Sequence, residues 1–391
     1  MRNFVLTSSS VTDGHPDKLC DRISDAIVDA LLTLDPCCRV QAECAIATGI
    51  VFLALHSRTS ARVDLPSIVR QIVSETGYAD AEFNEQNLTV LTSEAQLPMS
   101  APTAPSRTCS RLPADPVSAT LFGYACRHST EMLPLSCVLA HRLASRMTDV
   151  RRSGELPNLH PDGHVQVALR YHDRQPQCIE GITIFSALDA DGPQSRDVSE
   201  EIQKLIVDPV VRNSEVAMAK GCMISINPVD TVNIGGPTRH AGLTGRKTDI
   251  DTYGGYSRHS GAALSGKDPS RIDRTGAYAA RYAAKTIVAS GLADECEVQI
   301  SYTMGRPEPI SLEIDTFGSA KLPEANIRRV LSETLDFNVN AIIDTFKLEE
   351  QPKICGGRFF TNLAVFGHFG RDDLRLPWEQ TDKAALLARN V

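Results

Sequence analysis

The sequence predicts an α+β protein in which antiparallel-rich sheets are layered with helices. Three observations carry this expectation: alternating strands come in neighbouring pairs, helices with one apolar face stand between the pairs, and 391 residues with 42% apolar content fill a sizeable core.

Taking the elements in order, DKLCDRISDAIVDALLTLD places Leu19, Ile23, Ile27 and Leu31 four apart, one apolar helical face after Pro16. Asp21, Asp25 and Asp29 repeat at the same spacing on another face, which predicts a solvated acidic side. RVQAECAIATGIVFLAL predicts a strand pair around Gly49, and LPSIVRQIVSETGY a helix closed by Gly77. Glu94 to Pro116, rich in Pro, Ser, Thr and Arg and without an apolar period, predicts a long loop or domain junction. HVQVALRYHD alternates as a half-buried strand, SEEIQKLIVDPVV is helical as far as Pro209, and INPVDTVNIGG leads as a strand into a glycine-rich segment. RIDRTGAYAARYAAKTIVASG predicts a long Ala-rich helix ended by Gly291, followed by strands in EVQISYTMG and ISLEIDTFG and a helix near EANIRRVLSETL. No short internal repeat is evident.

A formal net charge of −8 and a pI near 5.7 exclude a general nucleic-acid or membrane-surface binder, so any anionic ligand must meet locally clustered cations. No apolar run reaches the roughly 18 residues of a spanning helix, and MRNFVLTSSS lacks a basic region followed by a hydrophobic one, which predicts a cytoplasmic protein. The 11 cysteines form no repeated C-x-x-C pair and predict reduced, largely buried thiols.

Three clusters of cations and small residues contradict the acidic average: GHPDK at Gly14 to Lys18, GLTGRK at Gly242 to Lys247, and SGKDPSRID at Ser265 to Asp273. In the first, His15 and Asp17 flank a proline at a helix start, where free amides and the helix dipole favour an anion. In the second, adjacent Arg246 and Lys247 follow two glycines, a workable phosphate clamp. The third combines two cations, acids and small residues as a polyphosphate with its metal would require. Each is also compatible with an ordinary polar turn.

GHPDK with its helix, GLTGRKTDIDTYGG, SGKDPSRIDRTGAYAARYAAK, FGHFGR and PWEQTDKAALL together resemble, in order and over essentially the whole chain, the S-adenosylmethionine synthetases. The resemblance implies three similar two-layer α+β domains with pseudo-threefold symmetry, here 1–103, 114–232 and 233–391, in a homodimer or homotetramer with active sites between subunits. It implies attack of methionine sulfur on C5′ of ATP with departure, then hydrolysis, of the whole triphosphate. Carried over by motif, His15, Arg246, Lys267 and His164 stand at catalytic positions, with Lys247, Arg271, Asp162 and Val232 in the nucleotide site. Asp17 and Asp273 would hold Mg²⁺, and Glu43 would hold K⁺.

The acceptor side departs from the family pattern. His56 and His240 stand where carboxylates hold the methionine ammonium, His164 replaces a lysine, and Val232 replaces an aromatic platform for adenine. A Gly-Asp-Gln-Gly stretch is missing before FGYA, so its aspartate corresponds to Val117, with Asp115 a possible substitute, and Ser9 replaces a glutamate. Gln96 matches a methionine-side glutamine. The sequence therefore predicts an adenosyl transferase whose acceptor pocket is faced by His56, His164 and His240 and differs from one built for ordinary methionine. Three alternatives are a true methionine adenosyltransferase with rearranged contacts, a noncatalytic nucleotide-binding subunit, and a transition-metal site on the three histidines.

Overall fold

The computed structural model describes residues 3–96, 117–188, 195–227 and 235–390. Its architecture repeats one pattern: a lead strand, a long helix, an antiparallel hairpin and a second helical segment. The first pass consists of β1 (Asn3–Val11), α1 (Pro16–Leu34), β2 (Arg39–Ala47), β3 (Ile50–Arg58), α2 (Leu65–Thr76) and β4 (Thr89–Gln96). The second runs through β5 (Ala119–Cys126), α3 (Leu135–Ser153), β6 (Leu159–His172), β7 (Gln175–Leu188), α4 (Ser195–Ile202), α5 (Asp208–Arg212) and β8 (Met218–Ile226). In the third come β9 (Gly242–Leu243), α6 (Thr248–Asp251), α7 (Ile272–Ala289), β10 (Glu295–Tyr302), β11 (Ser311–Asp315) and α8 (Glu324–Thr334).

The sheets do not follow these passes. Their strand orders are β9-β2-β3-β4, β1-β6-β7-β8 and β5-β10-β11, so each lead strand pairs with the hairpin of the next pass, and the last pass returns to the first. Every lead strand joins the first hairpin strand antiparallel. Within the first two sheets the final strand adds parallel to the second hairpin strand. Each long helix covers the sheet of its own hairpin: α1 lies on β2 and β9, α3 on β6 and β1, α7 on β10 and β5. This cyclic exchange realises the α+β fold with three pseudo-equivalent layers, and its core is the apolar stripes of α1, α3 and α7.

Most elements agree with their periodicities. Gly77 closes α2 in the left-handed conformation with φ 88°, and Gly291 follows α7 with φ 78°. Three expectations are corrected. The helix around Pro209 continues to Arg212 through a wide turn at Gln203–Val207, and the carbonyl of Leu205, four residues before the proline, accepts Arg146 Nε at 2.9 Å in place of an amide. Glu94 to Gln96 belong to β4, drawn into the sheet by parallel pairing with Leu55 to Ser57, and the rest of the expected loop lies outside the described residues. Asp21, Asp25 and Asp29 are not solvated but fully buried.

Cys20, Cys38, Cys44, Cys126, Cys137 and Cys296 are buried free thiols. Cys37, exposed on the turn after α1, is disulfide-bonded, contrary to the reduced-thiol expectation. Among the described residues no helix is long and apolar enough to cross a membrane.

Candidate active site

The site is assembled from α1. His15 caps this helix, with Nδ1 accepting the Asp17 amide at 3.2 Å, and Pro16 presets the first turn. From there Asp17, Asp21, Asp25 and Asp29 point one turn apart along one face. Asp17 Oδ1 accepts the Leu243 amide at 3.0 Å, Asp21 Oδ1 the Gly245 amide at 2.8 Å, and Asp25 Oδ1 the Gly266 amide at 2.8 Å. Asp29 accepts the amides of Phe360 and Thr361 at 3.0 and 2.8 Å. The acidic face is thus a row of anchors for four distant points of the chain, including both glycine turns singled out in the sequence.

Counter-charges make this burial tolerable. Lys18 Nζ reaches Asp21 at 2.9 Å and also bonds Asp251, while Arg274 Nη2 meets both oxygens of Asp25 at 2.6 and 2.8 Å. Asp29 is held by two amides and the Thr361 hydroxyl, and burial pushes its carboxyl up to about 7.

The Ser265–Asp273 stretch lies along the edge of β2. Ala42 N–H donates to Gly266 O at 2.8 Å, Asp268 Oδ2 accepts Val40 N–H at 2.8 Å, and Lys267 pairs opposite Gln41. Gly266 adopts φ +77°, and a Cβ there would stand 2.0 Å from Ala42 O, so the close approach requires glycine. Arg274 also donates to the carbonyls of Leu264 and Lys267 at 2.6 and 2.9 Å. This fixed turn presents Lys267, whose Nζ meets Asp273 Oδ2 at 2.7 Å in the first turn of α7; Arg271 is the cap residue of that helix. Asp268 and Arg274 carry the geometry, yet sequence reasoning passed over them. Their only sequence signal is that an acid and a base flank the candidate cations.

The structure brings His15, Asp17, Asp162, His164, His240, Arg246 and Lys247 into one neighbourhood. Arg246 and Lys247 approach Asp17 at 3.7 and 3.5 Å. Asp162 Oδ2 accepts the Gly236 amide at 2.8 Å and lies 2.8 Å from His240 Nε2. Burial drives the His15 imidazole down to about 4, against the pull of Asp162, so the ring is neutral near pH 7. Burial and Lys247 likewise lower His164. For Asp162, burial acts upward, but the His240 hydrogen bond and His15 hold it below the ordinary carboxylate range. That same hydrogen bond raises His240.

The other expected residues lie elsewhere. Glu43 and His56 are exposed on the outer face of the first sheet; Gln41 Nε2 donates to Glu43 at 2.7 Å and Gln41 pairs opposite His56. His56 therefore does not share the His15–Asp162–His240 group. Gln96 pairs opposite Ser57, one residue out of phase with His56, and its amide oxygen accepts from Arg62 at 2.6 Å. Val232 and Asp115 lie outside the described residues. Val117, at the entry to β5, is half-buried.

Asp17 and Asp273 are 3% and 7% exposed, each at a helix start with basic side chains alongside. A hard dication held by one or two carboxylates plus phosphate oxygens asks no more of the protein, so both fit Mg²⁺. Glu43 offers a single exposed carboxylate, and a potassium site there needs further ligands.

Comparison with known proteins gives the family. The chain matches the S-adenosylmethionine synthetase N-terminal domain over residues 3–97, the central domain over 117–232 and the C-terminal domain over 234–380. It is similar to the S-adenosylmethionine synthase of Synechococcus sp. (strain JA-3-3Ab), 43% identical over 98% of this chain and 97% of the relative. It is also similar to that of Rippkaea orientalis (strain PCC 8801 / RF-1), 42% identical over 99% and 96%, and that of Trichodesmium erythraeum (strain IMS101), 42% identical over 98% and 96%. With all three domains matched in order and relatives more than 40% identical over nearly the whole chain, the chain belongs to the S-adenosylmethionine synthetase family of ATP-using adenosyltransferases.

Proposed function

We propose that the protein transfers the 5′-deoxyadenosyl group of ATP to a small nucleophile other than ordinary methionine, releasing triphosphate or its hydrolysis products. In this reaction a nucleophile's lone pair forms the new bond to C5′ while the C5′–O bond breaks, and its electron pair stays on the departing triphosphate. The observation that carries the reading is the hanging of both basic turns from α1: Asp21 and Asp25 fix the Gly245 and Gly266 amides and so aim Arg246, Lys247 and Lys267.

Such fixed cations stabilise charge as it develops on the leaving group. Mg²⁺, held by Asp17 and Asp273, would share that charge. With Nδ1 accepting the Asp17 amide, the neutral His15 ring carries its proton on Nε2 and is a donor toward the phosphate next to the breaking bond. On the acceptor side, the imidazole of His240 against Asp162 offers no anion to a free ammonium, and His56 offers none on the outer sheet face.

That outer face also supports a homodimer or homotetramer. Phe52, Leu91 and Leu243 are exposed in one row across it, beside Glu43 and His56, so a second copy covering the row would complete the site between subunits. K⁺ at Glu43 and a cytoplasmic location belong to the same reading.

A second reading, methionine as acceptor through rearranged contacts, is favoured by the relatives' shared name. Incubation with ATP, Mg²⁺ and a panel of nucleophiles, followed by phosphorus NMR and mass spectrometry, separates the two. Triphosphate release that requires an acceptor other than methionine is expected. Saturable S-adenosylmethionine formation with methionine as the best acceptor establishes the second reading, and release independent of any acceptor overturns both.

A further inference from the structure

His15, Asp162 and His240 each place a ligand atom within 4.8 Å of the other two. They come from three distant parts of the chain: the cap of α1, the start of β6, and the turn after Gly235 and Gly236. The turn is bound to the carboxylate itself. Gly236 N–H donates to Asp162 Oδ2 at 2.8 Å, and a Cβ on Gly235 would lie 2.7 Å from the same oxygen. His240 is thus carried by a turn clamped on the third member of the group.

We propose that His15, Asp162 and His240 form a site for a borderline transition-metal dication of the zinc class, separate from any magnesium held by Asp17 and Asp273. The inference goes beyond the transfer reaction, because binding requires neither nucleotide nor acceptor.

Two imidazoles and one carboxylate suit such an ion, whereas magnesium prefers an all-oxygen shell. Bonds of about 2.0–2.2 Å to nitrogen and oxygen put neighbouring ligand atoms roughly 3.3 Å apart, so the present cluster has only a small movement to make. His15 Nδ1 now accepts the Asp17 amide at 3.2 Å, and Asp17 Oδ2 lies 3.9 Å from the same nitrogen. Ligation through Nε2 moves the ring proton to Nδ1, which then gives up the Asp17 amide and turns to donate to Asp17 Oδ2, a carboxylate–histidine–metal arrangement. Asp17 offsets the nearby Lys247 and Arg246. Three protein ligands leave coordination positions for water or a small ligand.

The full-length protein, stripped with chelator and without nucleotide, is titrated with Zn²⁺ by calorimetry and with Co²⁺ by visible absorption. One equivalent is expected, resistant to excess Mg²⁺, with a cobalt spectrum lacking sulfur-to-metal charge transfer. His240→Asn should weaken binding by at least about 100-fold, the upper end of what loss of a supporting partner alone costs. His56→Asn, changed on the outer sheet face, should leave it unaltered. Absence of saturable uptake, a sulfur-type spectrum in the wild type, or full affinity in His240→Asn each overturns the assignment.

Discussion

Arg274 Nη2 meets Asp25 Oδ1 and Oδ2 at 2.6 and 2.8 Å, with both side chains completely buried. The pair joins α1 to α7, and through the Gly266 amide and the Leu264 and Lys267 carbonyls it sets the turn that carries Lys267. Asp25→Asn leaves a buried guanidinium without its counter-charge, and should cost about 3–5 kcal/mol in urea unfolding. Asp25→Leu combined with Arg274→Met should recover part of that stability but not triphosphate binding, because the Gly266 anchor stays lost.

Asp273 stands in the first turn of α7 with Lys267 Nζ at 2.7 Å. Asp273→Asn keeps the shape and removes the charge available to magnesium. Turnover of ATP should fall by about 100-fold or more, the scale of losing one fixed charge-stabilising group. The thermal unfolding of the nucleotide-free protein should stay near that of the wild type. Comparable losses in both measurements would assign the aspartate to structure instead.

Restoring carboxylates by His240→Asp together with His56→Glu tests the acceptor wall. S-adenosylmethionine formation should rise over wild type while turnover with the preferred acceptor falls, read by mass spectrometry of the two products in competition. No change in their ratio would separate these positions from acceptor choice.

His141 lies buried on α3, with Nδ1 2.9 Å from Ser10 Oγ, and burial, Arg371 and Lys18 depress its ring to about 3. A histidine depressed on folding contributes stability that is fully present above its unfolded pKa near 6.5 and lost as pH falls toward the folded value. The stability difference between wild type and His141→Asn should therefore shrink from pH 6.5 downward, by at most about 1.4 kcal/mol per pH unit. Urea titrations of both proteins between pH 7 and about pH 5 read this directly.

Much of this fold was legible because its signals are local. The β2–β3 and β10–β11 hairpins alternate, α1 and α7 show their apolar stripes, and the glycine turns bracket their cations. What escaped depends on distant partners. Asp21, Asp25 and Asp29 have the spacing of a solvated helix face, and they are buried only because Gly245, Gly266 and Phe360, more than two hundred residues on, bring amides and Arg274 brings charge. β9 has two residues, too few for any period to register. Within the site, the motif residues were legible, whereas Asp268 and the His15–Asp162–His240 grouping follow from strand register and turn geometry.

The lending of lead strands around the three layers has a practical consequence for anyone dissecting the molecule. Severing the chain between passes strips at least one sheet of its outermost strand: without Asn3–Val11 the His164–His172 rim is bare, and without Ala119–Cys126 so is Glu295–Tyr302. No third of this protein is a self-sufficient fragment, and heat or denaturant should melt all three as a single event.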